Sequence, residues 1–484
     1  MKKVLPFLLL VTIPWSTTLA AETWLDGEPA GLLGPGGQEA LPLWTRQAPG
    51  ADVPIRLPEV DPREVIPVST TAPLENLAQD EDYFTLDELK AEMKKLAWTK
   101  GDFKIVPCGA FWADMIYATD RNNPGAYTLY IPSRDEQGED SLTIDERRSR
   151  FGLDVTGPRI PFFNCAESGG RVEIDFHGSF FSTENRASIL LRHAYWEVKN
   201  ENFKALVGQT WDLISPLYPG TLNYSVGWDG GNMGYRRPQF RYDRYYGAHN
   251  RLGWQWALAL TPSIADDLPG DPNDRRESVD WPVIQGRVGC TLRDAYGRRG
   301  PITLGVSGHI GQTGFDFLDD SPPGRPGGVL PAADDQRFNT WSFNIDARIP
   351  ITARLGVEGE FFTGANLGPY LGGIGQGVCP CLRVPIRSTG GWVDVWYDWT
   401  PRWHSYAGMG IDDPRDDDSL VGRVYNHFIF ANLVFDVTKN LNTGIEVTSW
   451  KTLYHDTRVG VDLPPVPTAP GESVTIDWMV KYAF

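Results

Sequence analysis

From residue 103 onward, hydrophobic and polar positions alternate with a period of two. Val172, Ile174 and Phe176 alternate with Arg171, Glu173, Asp175 and His177. Ile302, Leu304, Val306 and Ile310 alternate with Thr303, Gly305, Ser307 and His309, and Phe343, Ile345 and Ala347 with Ser342, Asn344, Asp346 and Arg348. The stretch 474–484 reads the same way. Val474, Ile476, Trp478, Val480, Tyr482 and Phe484 fall on one face, and Thr475, Asp477, Met479, Lys481 and Ala483 on the other. Extended backbone sends successive side chains to opposite faces, so each stretch is a strand with one apolar face and one mostly polar face. Such a strand needs either a core on one side, or lipid on one side and a wet lumen on the other.

The connections separate these two cases. The pattern predicts strands at about 103–118, 145–155, 170–180, 188–198, 202–210, 237–245, 252–261, 281–293, 301–311, 338–348, 353–362, 391–399, 402–410, 423–437, 441–451 and 473–484. Short links such as 199–201, 247–251 and 439–440 alternate with long ones such as 119–144, 211–236, 312–337 and 363–390. Tight turns on one side and long loops on the other mark a membrane barrel. The expected fold is therefore all-β, a 16-stranded antiparallel transmembrane β-barrel spanning 101–484. One link breaks the rhythm, because 156–169 is long where a tight turn is expected. The apolar run 126–131 is placed as a hairpin arm inside the first outer loop, since counting it as a barrel strand would spoil the alternation.

The first hundred residues differ. Lys2 and Lys3, the apolar run 4–14 and the small residues 18–21 form a secretory signal peptide over 1–21. Residues 22–80 are rich in Pro, Gly and acids and read as an irregular periplasmic segment. A short helix is predicted within 81–100. There Thr85 and Glu88 make a capping box, and Leu86, Leu89, Met93 and Leu96 recur at helical spacing.

Composition changes the picture little. No run outside the N-terminus approaches the ~20 apolar residues of a spanning helix. The formal net charge of −17 becomes −19 once Lys2 and Lys3 leave with the signal, which argues against a nucleic-acid partner. Eighteen Trp, eighteen Tyr and twenty-two Phe suit aromatic girdles at the strand ends. The five cysteines (Cys108, Cys165, Cys290, Cys379 and Cys381) allow at most two disulfides, and Cys379-Pro-Cys381 is too close in sequence for an easy mutual one. No His flanks them, so neither a metal site nor a cofactor is indicated. No nucleophile–base motif or phosphate loop is present, and no enzyme activity is expected.

Sixteen strands leave an aqueous channel, so function rests on what narrows it and what charge lines it. The candidate constriction is the loop 211–236, with five Gly, two Pro and more apolar residues than an exposed loop needs. Folding inward would satisfy it. Around it gather Arg148, Arg150, Arg171, Arg192, Arg236, Arg237 and Arg241, with Glu173, Asp175, Asp212 and Asp229 as counter-charges. Guanidinium groups on a channel wall attract anions; the same groups paired with those carboxylates would form a structural network. Arg192 falls in phase with Leu190, Ala194 and Trp196, at odds with a lumen position.

RHAYW at 192–196, GQTWDLISPL at 208–217 and RRPQFRYDRY at 236–245, with SRFGLDV at 149–155 and EIDFHG at 173–178, resemble the DcaP-type trimeric outer-membrane porins. The resemblance covers about a hundred residues of the first half. It implies a homotrimer in outer-membrane lipid, passive uptake of small hydrophilic and often anionic solutes, and an N-terminal helical extension. The stretch ending in Phe484 resembles the closing strand of bacterial outer-membrane β-barrels, in which the terminal Phe is the assembly signal. The expected function is that of a porin; the alternative is a structural or adhesive barrel with a closed lumen.

Overall fold

The computed structural model describes residues 97–484 apart from 137, 179–186, 265–273, 278, 295–299, 318–319, 322–327 and 456–467. Among these residues sixteen antiparallel strands close into a barrel. They are β1 Phe103–Ala118, β2 in two segments (Ser141–Asp145 and Arg150–Ile160), β3 Ala166–Asp175, β4 Leu190–Lys199, β5 Phe203–Trp211, β6 Arg236–Tyr246, β7 Leu252–Thr261 and β8 Val283–Leu292. They continue with β9 Ile302–Phe317, β10 Ala333–Pro350, β11 Leu355–Ala365, β12 Arg387–Asp398, β13 Trp403–Pro414, β14 Arg423–Asp436, β15 Leu441–Tyr454 and β16 Gly471–Ala483.

Closure runs through β1 and β16, in register from Ala110 opposite Ala483 to Ala118 opposite Thr475. Phe484 extends the seam by exchanging two backbone hydrogen bonds with Gly109, at 3.0 and 3.1 Å. A closed sheet has no unpaired edge, the condition for strands to lie in hydrocarbon. The alternation of the sequence becomes inside and outside. On β7, Leu252, Trp254, Trp256, Leu258 and Leu260 are exposed on the outer wall, while Gln255, Ala257, Ala259 and Thr261 are buried. On β16, Val474, Ile476, Trp478 and Tyr482 face out, and Thr475, Asp477, Met479 and Lys481 face in. An apolar exterior over a polar interior reverses a soluble protein and makes this an outer-membrane barrel.

Short turns and long loops alternate around the barrel, each turn shorter than the loops on either side of it. Because β2 runs on to Ile160 and β3 begins at Ala166, the link that appeared long shrinks to 161–165, a 3-10 turn at Pro161–Phe163 with Asn164 and Cys165 in the left-handed region. Several tight turns share one device. The hydroxyls of Thr352, Thr400 and Thr438 each accept the N–H groups two and three residues on, and the Asn200 carboxamide does the same. A side chain that caps its own turn reverses the chain without help from the membrane. The 126–131 run contributes a small hairpin, Asn123–Pro124 against Thr128–Tyr130, outside the barrel sheet.

The signal peptide, the segment 22–80 and most of the predicted helix lie outside the described residues. The last part of that helix does not form, because Trp98–Lys100 is a strand paired with Phe103–Ile105. Thr99 is β-branched and the reversal at Asp102 needs Gly101 in the left-handed region, which favours a hairpin over a helical turn.

Candidate functional site

The loop 212–235, between β5 and β6, enters the barrel and lies along its inner wall. Nearly every residue of it is buried. A loop withdrawn from water must find partners for its backbone groups, and the opposite wall supplies them. The N–H of Leu213 donates to Gln285 on β8 (2.7 Å), that of Leu217 to Glu360 on β11 (2.7 Å) and that of Gly220 to Asp394 on β12 (2.6 Å). Glu446 on β15 accepts from both the Leu222 N–H and the Thr221 hydroxyl at 2.6 Å. Asn432 on β14 donates to Gly220 O (2.7 Å). Returning toward β6, the loop takes a hydrogen bond from Asn426 to Asp229 O (2.7 Å) and one from Arg148 to Leu222 O (2.6 Å). The carboxylates of β11, β12 and β15 thus act as a rail for one loop. The close approach depends on Gly231, in the left-handed region, where a Cβ would meet Gly391 O at 2.3 Å.

Two other loops fold onto this belt. Tyr127 and Leu129 of loop 119–140 pack against Tyr224, Val226 and Trp228. In loop 366–386, Leu367 and Tyr370 pack against Ile214 and Met233, and the carbonyls of Tyr370 and Leu371 accept the N–H groups of Gly234 and Asp229. Asp229, the acid that sequence singled out in the loop, has a left-handed backbone and a buried carboxyl. Burial pushes that carboxyl up to about 6, against the opposing pull of Arg423 and the Gly375 N–H.

The predicted arginines all face inward, and most meet carboxylates on their own wall. Arg192 donates to Glu173 (2.8 Å) and Asp175 (2.5 Å), and Arg171 donates to Glu173 (2.6 Å). Arg237 lies 2.6 Å from Asp212, and Arg241 grips Asp243 at 2.7 and 2.9 Å. Arg148 sits 3.3 Å from Asp114, with its guanidinium over the Trp112 ring. The strand phase that argued against Arg192 is broken by a bulge in β4 opposite Glu173 and Ile174, where Arg192 is the extra residue between Leu191 and His193, and both Arg192 and His193 turn inward. Arg148 is likewise not in regular strand. It sits in the break between the two segments of β2, where five residues of β2 span four of β1.

Two inward cations differ from the rest. Arg236 lies between the rings of Trp211 (4.5 Å) and Tyr235 (4.7 Å), and its Nε and Nη1 find no hydrogen-bond partner among the described residues. Lys481 stands over Trp112 at 4.8 Å, beside Arg148 and Arg150, with no ion pair among the described residues. Below the belt, toward the short-turn end, a cavity of about 220 Å³ is bordered by Arg171, Lys204, Arg241, Trp211 and Tyr218. Glu360, Asp394 and Glu446 were not singled out from sequence, although each sits in an inward position of an alternating strand. The signal was available in the question of what a buried loop's N–H groups would bind.

No protein-family model matches the chain, and no curated protein matches it in sequence. Among solved structures it is similar to the outer membrane channel DcaP of Acinetobacter baumannii, with 18% identity over 80% of this chain and 99% of that one and a TM-score of 0.61. The chain has the fold of that channel. An anion-selective porin from Comamonas acidovorans matches at 11% identity over 79% of this chain and 100% of its own, and OprB of Pseudomonas putida at 9% over 82% and 96%, each with a TM-score of 0.48.

Proposed function

We propose that the protein is an outer-membrane porin, assembled as a homotrimer, that passes small hydrophilic solutes by diffusion and favours anions. The inward belt 212–235 is the observation that carries this reading. It is laid on a charged wall, as a sizing element in a wet lumen would be, and a barrel with a sealed apolar core would have no use for that wall. The belt sets the size of solute admitted. Arg236 and Lys481 supply positive charge that no close ion pair among the described residues ties up, although Asp175 and Asp436 lie within electrostatic reach of them, whereas the paired arginines mainly hold the wall together. No catalytic arrangement is proposed.

The apolar packing of loops 119–140 and 366–386 on the belt favours a second reading, a structural barrel with a closed lumen. Reconstitution in planar bilayers separates the two, since discrete conductance steps support the porin and silence supports the closed barrel. Under a salt gradient, Arg236→Ala is expected to shift the reversal potential toward cations. An unchanged potential would remove Arg236 from the selectivity argument.

A further inference from the structure

The loop 366–386 carries two thiols that take no part in the belt. Val378 and Cys379 pair with Pro385 and Val384, closing a tight hairpin whose tip is Pro380, Cys381, Leu382 and Arg383. The tip is held from several sides. The Arg383 N–H donates to Cys379 O (2.7 Å), and Arg383 has a left-handed backbone. Its guanidinium donates to Pro331 O (2.5 Å) and lies over the Phe317 ring (4.5 Å). Val378 is buried against Phe315, Phe317 and Phe338. Within this frame Cys379 Sγ accepts the Leu382 N–H at 3.4 Å and a hydrogen bond from the Cys381 thiol, so the two sulfurs share one side of the turn.

We propose that Cys379 and Cys381 form a two-sulfur site for a soft monovalent cation of the Cu(I) or Ag(I) class at the outer mouth of the barrel. Thiolate sulfur selects soft d10 metals, and Cu(I) is well served by two sulfurs alone. A structural zinc site needs four ligands, and no group of three or more His, Cys, Asp or Glu suited to a metal occurs among the described residues. Binding replaces two S–H protons with one cation and leaves a net negative charge, which the Leu382 N–H helps to offset. The way in is from the Cys381 side, because Cys379 is buried while Cys381 is partly exposed and Pro380 is exposed.

The test uses the full-length barrel folded in detergent, reduced with a phosphine, desalted and kept anaerobic. Cu(I) is supplied as its bicinchoninate complex. The wild type is expected to withdraw one Cu(I) per chain. Cys379→Ser and Cys381→Ser should each lose that equivalent, while a triple Cys108→Ser, Cys165→Ser, Cys290→Ser variant keeps it. Heat-modifiable migration establishes that each variant is folded. Should a serine variant fail to fold, iodoacetamide on the folded wild type, located by peptide mass, gives the same reading. Withdrawal that survives loss of either thiol, a wild type that withdraws none, or a 379–381 disulfide that the phosphine leaves closed would each overturn the proposal.

Discussion

The backbone N–H of Leu222 donates to the Glu446 carboxylate at 2.6 Å, joining an inward loop to a wall strand 224 residues further along the chain. The same carboxylate accepts the Thr221 hydroxyl at 2.6 Å and the Asn432 carboxamide at 2.9 Å. Glu446→Ala would leave these donors buried without an acceptor, at about 1–3 kcal/mol each. The expected result is a noisier channel with larger mean conductance and a lower heat-modification midpoint. Glu446→Gln keeps one acceptor oxygen and should fall between. Wild-type conductance in the alanine variant would mean that the rail does not hold the belt.

Arg192 is held tightly in the barrel wall. Its guanidinium is buried between Glu173 and Asp175, and Asp175 has Tyr224 Oη at 3.1 Å as a further partner. Removing one member of a buried pair strands the other, at about 3–5 kcal/mol. Arg192→Ala should therefore lower folding yield and thermal midpoint more than it changes selectivity. Arg192→Ala with Asp175→Asn should recover part of the loss. A stable Arg192→Ala barrel with altered reversal potential would make Arg192 part of the conduction path.

These two cases mark how far the sequence reads. Period two and the short–long rhythm are local, so they place β1 and β7 at their observed bounds and give the strand number. Arg192 was at odds with its lumen position because it is itself the extra residue of a bulge between Leu191 and His193, which resets the phase of its own strand, and a bulge is fixed by pairing, which is not local. The end of the N-terminal helix was lost at Trp98–Lys100 to a hairpin partner that only the fold supplies. The arginine wall was visible because seven charged positions stand out in apolar surroundings. The acidic rail was not, because an inward Glu on a strand looks alike whether it faces water or a loop's N–H groups.

Gly109 and Phe484 predict how the barrel closes. A Cβ at Gly109 would meet Arg150 O at 2.4 Å and Phe484 Cζ at 2.8 Å, while the Phe484 ring rests near Phe111 (5.5 Å) and Phe151 (6.2 Å). Deleting Phe484 removes two hydrogen bonds and these ring contacts, together about 3 kcal/mol. Fewer heat-modifiable barrels should accumulate in membranes. Gly109→Ala, with Phe484 present, should show the same defect through the clash. Normal assembly in both would mean that the seam is held elsewhere.

Asp229 gives the belt a pH dependence with a definite sign. Burial is the largest influence on its carboxyl and raises it to about 6 from an ordinary 3.8; Arg423 and the Gly375 N–H pull the other way, and Asp412 faces it with a second acid. The packed loop therefore prefers the protonated form. Its contribution is fully present below about pH 4, is lost as pH rises toward 6, and costs about 3 kcal/mol above that, at ~1.4 kcal/mol per unit. Acid should tighten the belt, so conductance fluctuations should be quieter at pH 4.5 than at pH 7.5. Asp229→Asn removes the ionisation and should be quiet at both pH values, with a higher midpoint near neutrality. If the asparagine variant keeps the wild-type difference between the two pH values, the titrating group is another one, and Asp412→Asn is the next variant to measure.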